Sequence, residues 1–190
     1  MNTNQQYKEV IEACKTIFLS KAADYGTSWR VYRTISVVDQ IYIKAKRIRT
    51  IQEKKEQKVG DSITSEFKGI LNYAVIGLMQ LELGDDDGED VAIDVLQNLY
   101  SKYIDKAFHL MLDKNHDYGE AWREMHQETF ADMILARLQR IRQIIKNEGK
   151  TIMSEGIDAN FYDIINYCVF ALILIGEGLH EEWRQILCTC

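Results

Sequence analysis

Apolar residues recur at helical spacing along almost the whole chain, and the polar stretches between them are short. Near the start, Val10, Ile11, Cys14, Ile17 and Phe18 follow an i, i+3, i+4, i+7 pattern, which places them on one helical face. No stretch shows the alternation typical of a strand, and proline, the strongest helix breaker, is absent from the sequence. The pattern predicts an all-α protein.

The same periodicity predicts six main helices in two groups of three. The helix over 158–175 is apolar nearly all round, so we expect it to be the most buried element. Five acidic residues and two glycines make 84–90 a solvated linker between the groups. The predicted helices cover approximately 5–23, 35–58, 64–83, 91–113, 130–147 and 158–175, with a short extra helix over 179–187.

Two similar stretches, 21–30 and 114–123, relate the two groups to each other. Each contains Lys-x-x-Asp-Tyr-Gly-x-x-Trp-Arg, and from Lys21 to Ile51 12 of 31 residues recur 93 positions later. This density indicates an internal duplication, with repeats at 5–83 and 91–177. A lone core of about 80 residues is marginally stable. We therefore expect residues 1–190 to form a single compact six-helix bundle, with its two three-helix repeats related by a pseudo-twofold axis.

Charge and composition narrow the range of partners. The net charge is −6, which disfavours direct nucleic-acid binding. The first residues lack the apolar segment of a signal peptide, and the longest apolar run, 167–175, is too short to span a bilayer. Four cysteines are too few for a disulfide scaffold. We expect a cytoplasmic protein with no membrane partner, and a homodimer is compatible with these features.

The Asp-Tyr-Gly-x-x-Trp loop has two interpretations. In the first, its aromatic residues plug the core at the end of a helix. In the second it is a ligand loop, in which Trp29 or Trp122 stacks on a ring and Lys21 or Lys114 faces an anion. Its remaining candidate contacts are the neighbours of Lys114, namely Asp117 and Tyr118, with His116 as the one histidine that merits a test.

Asp163 is the most unusual residue, because it lies with Asn166 on one face of an otherwise apolar helix. A lone buried carboxylate costs several kcal/mol unless a cation, a metal or hydrogen bonds compensate. One interpretation pairs Asp163 with an arginine of the preceding helix, Arg137 or Arg140. The other makes it a catalytic ligand of Mg²⁺. Asp132 would then be the second oxygen ligand of the metal, and Glu155 or Asp158 would provide a further one.

The first repeat differs at the equivalent position. Aligning the two Asn-Tyr pairs of the third helices places Gly69 opposite Asp163, and Glu66 is then the nearest acid. We therefore expect the second repeat to supply the acids of any active site and the first to supply mainly a partner surface. Pairs of cations at i, i+3 recur on the second helices, and they form either a solvated or salt-bridged surface or a phosphate clamp: Lys44 with Arg47, and Arg137 with Arg140.

The Lys-x-x-Asp-Tyr-Gly-x-x-Trp motif, followed by an Arg-rich helix and an Asp-x-x-Asn-Tyr helix, resembles the nucleotide modification associated domain 1 family. The stretch 154–167 is similar to a duplicated, Bacteroidetes-type branch of that family. More remotely, the helix order resembles the all-α MazG-type nucleoside triphosphate pyrophosphohydrolases, which hold Mg²⁺ with paired carboxylates. The chain departs from that pattern, because residue three after Asp132 is Leu135 and residue three after Asp39 is Tyr42.

The resemblance implies a MazG-like protein that binds a small-molecule nucleotide. It further implies Mg²⁺-dependent hydrolysis of (deoxy)nucleoside triphosphates to monophosphate and pyrophosphate. Asp163 and Asp132 would hold the metal, while Lys114, Arg137 and Arg140 would contact phosphates and Trp122 the base. The alternative is a non-catalytic helical interaction or scaffold protein, associated with nucleotide or DNA modification, in which both loops are core plugs.

Overall fold

The computed structural model describes residues 2–84, 90–150 and 155–182, and in these ranges it contains helices and no strand. The all-α prediction is therefore confirmed. Two short 3₁₀ helices, Ser28–Val31 and Ala121–Glu124, lie at equivalent places in the two repeats. The α-helices are α1 (Thr3–Tyr25), α2 (Thr34–Lys54), α3 (Ile63–Leu83), α4 (Ile93–Tyr118), α5 (Gln127–Lys146) and α6 (Ile157–Gly176).

The helices pack as two equivalent triplets, α1–α3 and α4–α6. Each helix contacts its own counterpart in the other repeat: α3 packs against α6, α2 against α5, and α1 against α4. Contacts within the repeats correspond as well, since α2 packs on α3 as α5 packs on α6. This exchange of equivalent contacts is what a pseudo-twofold arrangement of tandem three-helix repeats requires.

The central pair, α3 and α6, contributes almost half of the buried residues of the shared core. Both helices are buried around much of their circumference, as the nearly continuous apolar sequence of α6 predicted. By length and composition, α6 is the one described helix that could span a membrane, but 78% of its most apolar window is buried inside the protein. The remaining helices place one apolar stripe each against this pair.

Crossed hydrogen bonds join the repeats at the centre of the molecule. The Asn166 amide donates to the Ala107 carbonyl of its own repeat at 3.0 Å, and its oxygen accepts from the Tyr7 hydroxyl of the other repeat at 2.8 Å. Asn72 does the same with the Cys14 carbonyl at 3.0 Å and the Tyr100 hydroxyl at 2.9 Å. Each third helix is thus fixed to the first helices of both repeats.

Some predicted boundaries were wrong. The second helix ends at Lys54 rather than at residue 58, and Lys55 takes a left-handed conformation with φ of 56°. The residue capping α3 is Ser62, which accepts a hydrogen bond from the Ser65 amide, rather than Thr64. Residues 179–182 of the predicted C-terminal helix are not helical, and 183–187 lie outside the described residues, as do 85–89 of the predicted linker.

Candidate functional site

The repeated Asp-Tyr-Gly-x-x-Trp motif forms the end of a first helix and the turn that follows it. Both α1 and α4 continue through the tyrosine and stop at a glycine with positive φ, 66° at Gly26 and 63° at Gly119. L-residues rarely adopt this conformation, so glycine ends the helix and the chain turns into the 3₁₀ helix. The turn buries Trp29 and Trp122, which are 8% and 6% exposed.

A cavity of about 540 Å³ opens beside this turn in the first repeat. Its walls come from α1, the 3₁₀ helix, α2 and α3. Three lysines and two acids line it, so the lining is net positive although the chain is acidic. The charged lining residues are Lys21, Lys44, Lys68, Asp61 and Glu66, and the aromatic lining residues are Phe18, Tyr25, Trp29, Tyr32 and Tyr73.

The second repeat has a pocket at the equivalent place, but its volume is about 140 Å³. Two residues that line this pocket are larger than their counterparts in the first repeat. Phe170, which stands where the first repeat has Ile76, stacks on Trp122 with ring centroids 4.3 Å apart and planes 7° from parallel. Asp163, which stands where the first repeat has Gly69, adds a carboxylate to the wall.

The Asp163 carboxylate is held between two cations. Its Oδ1 lies 2.6 Å from Lys114 Nζ, its Oδ2 lies 2.8 Å from Arg137 Nη2, and the residue is 6% exposed. Burial lowers the pKa of Arg137, but its hydrogen bond to Tyr167 and the charges of Asp163 and Glu155 outweigh this and raise it. Of the two arginines that the sequence offered as partners, Arg137 is the one that binds Asp163.

The acid of the first repeat stands one helical turn earlier. Glu66, 5% exposed, lies 3.0 Å from Lys44 Nζ and 2.6 Å from Arg47 Nη1. Arg47 also donates to the carbonyls of Val59 at 3.1 Å and Asp61 at 2.7 Å, so this arginine fixes the connection between α2 and α3. The predicted phosphate clamp at Lys44 and Arg47 is therefore already occupied by a carboxylate.

The carboxylates predicted to bind Mg²⁺ are not brought together. Asp132 is 57% exposed at its side chain and lies 3.4 Å from Arg49, while Asp158 lies 3.9 Å from Lys106. Glu155 is exposed. In the described residues no group of three or more His, Cys, Asp or Glu side chains could hold a metal ion. A metal at Asp163 would have to displace both of its cations.

The remaining predicted contacts divide between the pocket and the surface. Lys114, Tyr118, Trp122 and Asn166 line the second-repeat pocket, although the amide of Asn166 is already used by the hydrogen bonds described above. Asp117 and Arg140 are exposed and lie outside this pocket.

In the first repeat, Lys21 and Trp29 line the larger cavity, which the sequence pattern did not predict. The signal that could have indicated it is Gly69, a glycine inside a long helix.

Comparisons with known proteins identify the family. A search of curated proteins found no match, and a search of solved structures found none either. A family model described as nucleotide modification associated domain 1 matches the chain twice, over residues 21–81 and 114–175. Each match runs from the first helix through the loop to the third helix of one repeat. The chain therefore belongs to the nucleotide modification associated domain 1 family, as a protein with two copies of the domain.

Proposed function

We propose that this protein binds a nucleotide in the cavity of the first repeat. The observation that carries this proposal is the combination of volume and lining. At about 540 Å³ the cavity lies within the range of small-molecule sites, and it combines aromatic rings with lysines. Aromatic side chains suit a base, and ammonium groups suit phosphates. The membership of a family associated with nucleotide modification supports the same ligand class.

Two of the lysines that line the cavity, Lys21 and Lys68, are available for an anion. Among the described residues, no carboxylate forms an ion pair with Lys21 or Lys68. Lys68 lies near enough to Cys14 to oppose the effect of burial, which raises the pKa of that thiol to about 12. The thiol of Cys14 is therefore protonated at neutral pH and is a poor nucleophile. Lys68 itself lines the cavity and contributes a positive charge there.

The base would stack on a tyrosine rather than on a tryptophan. Trp29 is 8% exposed, whereas Tyr25 is 58% exposed at the rim of the same cavity. In the second repeat, the predicted stacking on Trp122 would have to displace Phe170, and Arg123 also lies 4.4 Å from that ring. These contacts favour the first repeat as the ligand site.

Hydrolysis of a nucleoside triphosphate is the catalytic extension of this proposal. It requires Mg²⁺, and the residues that the MazG resemblance implied, Asp163 and Asp132, are engaged by cations in separate places. Two carboxylates line the first-repeat cavity. Glu66 is likewise engaged by Lys44 and Arg47, so Asp61 is the one that could meet a metal brought in with the nucleotide. We therefore propose nucleotide binding as the primary function, and release of pyrophosphate is measured separately to test for hydrolysis.

A non-catalytic interaction protein is the second candidate. The burial of both tryptophans favours it, because core plugs explain the repeated loop without a ligand. It predicts that no nucleotide changes the stability of the protein.

The test is calorimetric titration with ribo- and deoxyribonucleoside mono-, di- and triphosphates, with and without Mg²⁺, together with an assay of released pyrophosphate. We expect binding by the wild type and a loss of at least about tenfold in affinity in Lys21→Ala/Lys68→Ala, since charge-assisted contacts are each worth about 1.5–3 kcal/mol. Lys46→Ala is the matched control, because Lys46 is exposed on α2 and outside the cavity. Equal affinity in all three proteins, or no binding by the wild type, would contradict the proposal.

A further inference from the structure

The two repeats have cationic residues at equivalent positions, but a carboxylate lies between these cations in the second repeat alone. Lys21 and Lys44 of the first repeat correspond to Lys114 and Arg137 of the second, and each pair lines or borders its pocket. In the second repeat a carboxylate, that of Asp163, lies between the pair. In the first repeat the corresponding residue is Gly69, which contributes no side chain.

The acid of the first repeat does not replace the missing carboxylate. Glu66 lies one helical turn before Gly69 and binds Lys44 and Arg47, and no described carboxylate pairs with Lys21. In the second repeat the residue that corresponds to Glu66 is Asn160, and the acid, Asp163, lies one helical turn later in the sequence. The position of the Asp163 carboxylate is therefore anionic in one repeat, whereas the corresponding position in the other repeat carries no acid.

Gly69 also has a local property that suits such a position. It lies inside α3, where glycine is less favourable than alanine by about 1 kcal/mol. A Cβ atom at this residue would lie 3.1 Å from Lys44 Cε and 3.3 Å from Lys44 Nζ. The lysine side chain thus crosses directly over the glycine, and Lys44 lines the cavity.

We propose that the Asp163 carboxylate is a built-in stand-in for the anionic group of the ligand, and that in the first repeat a phosphate group takes the corresponding place. It would face Lys21 and lie next to the Lys44 ammonium group, which crosses Gly69 and also binds Glu66. This assignment rests on the proposed nucleotide function and locates its phosphate end. It also explains why the second-repeat pocket is small: an internal carboxylate has taken the place of the ligand, and Phe170 covers Trp122.

The central test introduces the acid of the second repeat into the first. Gly69→Asp adds a carboxylate where the phosphate is expected to bind, so the variant should lose at least about tenfold in affinity for inorganic pyrophosphate and for the nucleotides of the panel. Gln139→Glu is the charge-matched control, because Gln139 is exposed on α5 and outside the cavity, and the substitution adds the same charge with almost no volume. We expect this control to keep most of the wild-type affinity.

The reverse substitution tests the second repeat. Asp163→Gly removes the internal carboxylate and leaves Lys114 and Arg137 without their anion, so its melting temperature should fall. Inorganic phosphate should then raise that temperature by several degrees more than it does for the wild type, because an anion that binds only the folded state stabilises it. If Asp163→Gly does not fold, the Gly69→Asp measurement still decides the matter.

The outcomes separate this inference from the proposed function. If the wild type binds nucleotides, and Gly69→Asp binds them as tightly as the wild type or as the Gln139→Glu control does, the phosphate position is wrong while the function stands. If the wild type binds pyrophosphate but no nucleotide, and Gly69→Asp loses pyrophosphate, the anion position stands and the nucleotide function fails. Binding of neither probe overturns both.

Discussion

At the scale of single residues, polar side chains in the core are the informative ones. Asn72 and Asn166 each satisfy one donor and one acceptor with partners from two different helices. Burial raises the pKa of both partner phenols, those of Tyr7 and Tyr100, so they remain protonated and donate at neutral pH. The asparagines are therefore structural ties, although Asn166 also lines the second-repeat pocket.

This geometry predicts the effect of removing a single hydroxyl group. In Tyr7→Phe, the buried Asn166 oxygen loses the donor at 2.8 Å, and an unsatisfied buried acceptor costs about 1–3 kcal/mol. We expect the free energy of unfolding in urea to fall by that amount, and Tyr100→Phe to behave alike because it removes the equivalent bond to Asn72. Tyr118→Phe should have no effect, since Tyr118 is 75% exposed. Unchanged stability in both buried variants would mean that these bonds are replaced by other partners.

The sequence predicted Asp163 as a compensated buried charge, and it named Arg137 among two candidate partners. Helical spacing carries this information, because the face of a residue follows from its position in the heptad. It carries no information about which side chains of two helices meet, so Lys114 as a second partner and the open cavity at Gly69 became visible only in three dimensions.

At the scale of the helices, hydrophobic periodicity located all six elements and failed at their ends. The sequence predicted that α4 would end at residue 113, but it continues to Tyr118, because Lys-Asn-His-Asp-Tyr contains no residue that stops a helix before Gly119. The basic stretch after Lys54 was wrongly included in α2. Polar residues at a helix end give no periodic signal, so only glycine and capping residues mark the boundary.

The contact between α3 and α6 depends on a glycine of α3. A Cβ atom added at Gly77 would lie 2.5 Å from Cζ of Phe161, in the ring of a fully buried residue. Gly77→Ala should therefore destabilise the protein by about 1–3 kcal/mol through overpacking, even though alanine favours the helix.

A second glycine of the same helix provides the control. Gly69→Ala meets only the flexible Lys44 side chain, so its stability should be unchanged or raised by up to about 1 kcal/mol. Thermal unfolding followed by circular dichroism measures both variants. If Gly77→Ala is as stable as Gly69→Ala, the central helices have room to separate and the close packing is not required.

At the scale of the whole molecule, the duplication explains the fold better than it explains the site. The repeated motif predicted two equivalent triplets, and the exchange of helix contacts between repeats confirms them. It also led to the expectation that the second repeat supplies the active site, because Asp163 stands out in sequence. The structure instead places the larger cavity where the corresponding residue is missing. A charged residue in an apolar helix, such as Asp163, is visible in the sequence. The sign of a cavity in this sequence is a glycine within a helix, Gly69.

The crossed hydrogen bonds and the α3–α6 contact lead to a prediction about the whole chain. Each third helix buries its surface against the other repeat, so neither triplet retains a complete core when the other unfolds. We expect a single unfolding transition, with the same midpoint by far-ultraviolet circular dichroism and by tryptophan fluorescence.

Hydrogen exchange should show α3 and α6 opening with one free energy, and Tyr7→Phe should lower that free energy in both helices although it alters the first repeat alone. A chain ending at residue 84 should show no cooperative transition. Two separate midpoints, or a folded first repeat in isolation, would show that the repeats are independent domains and that the crossed bonds only dock them.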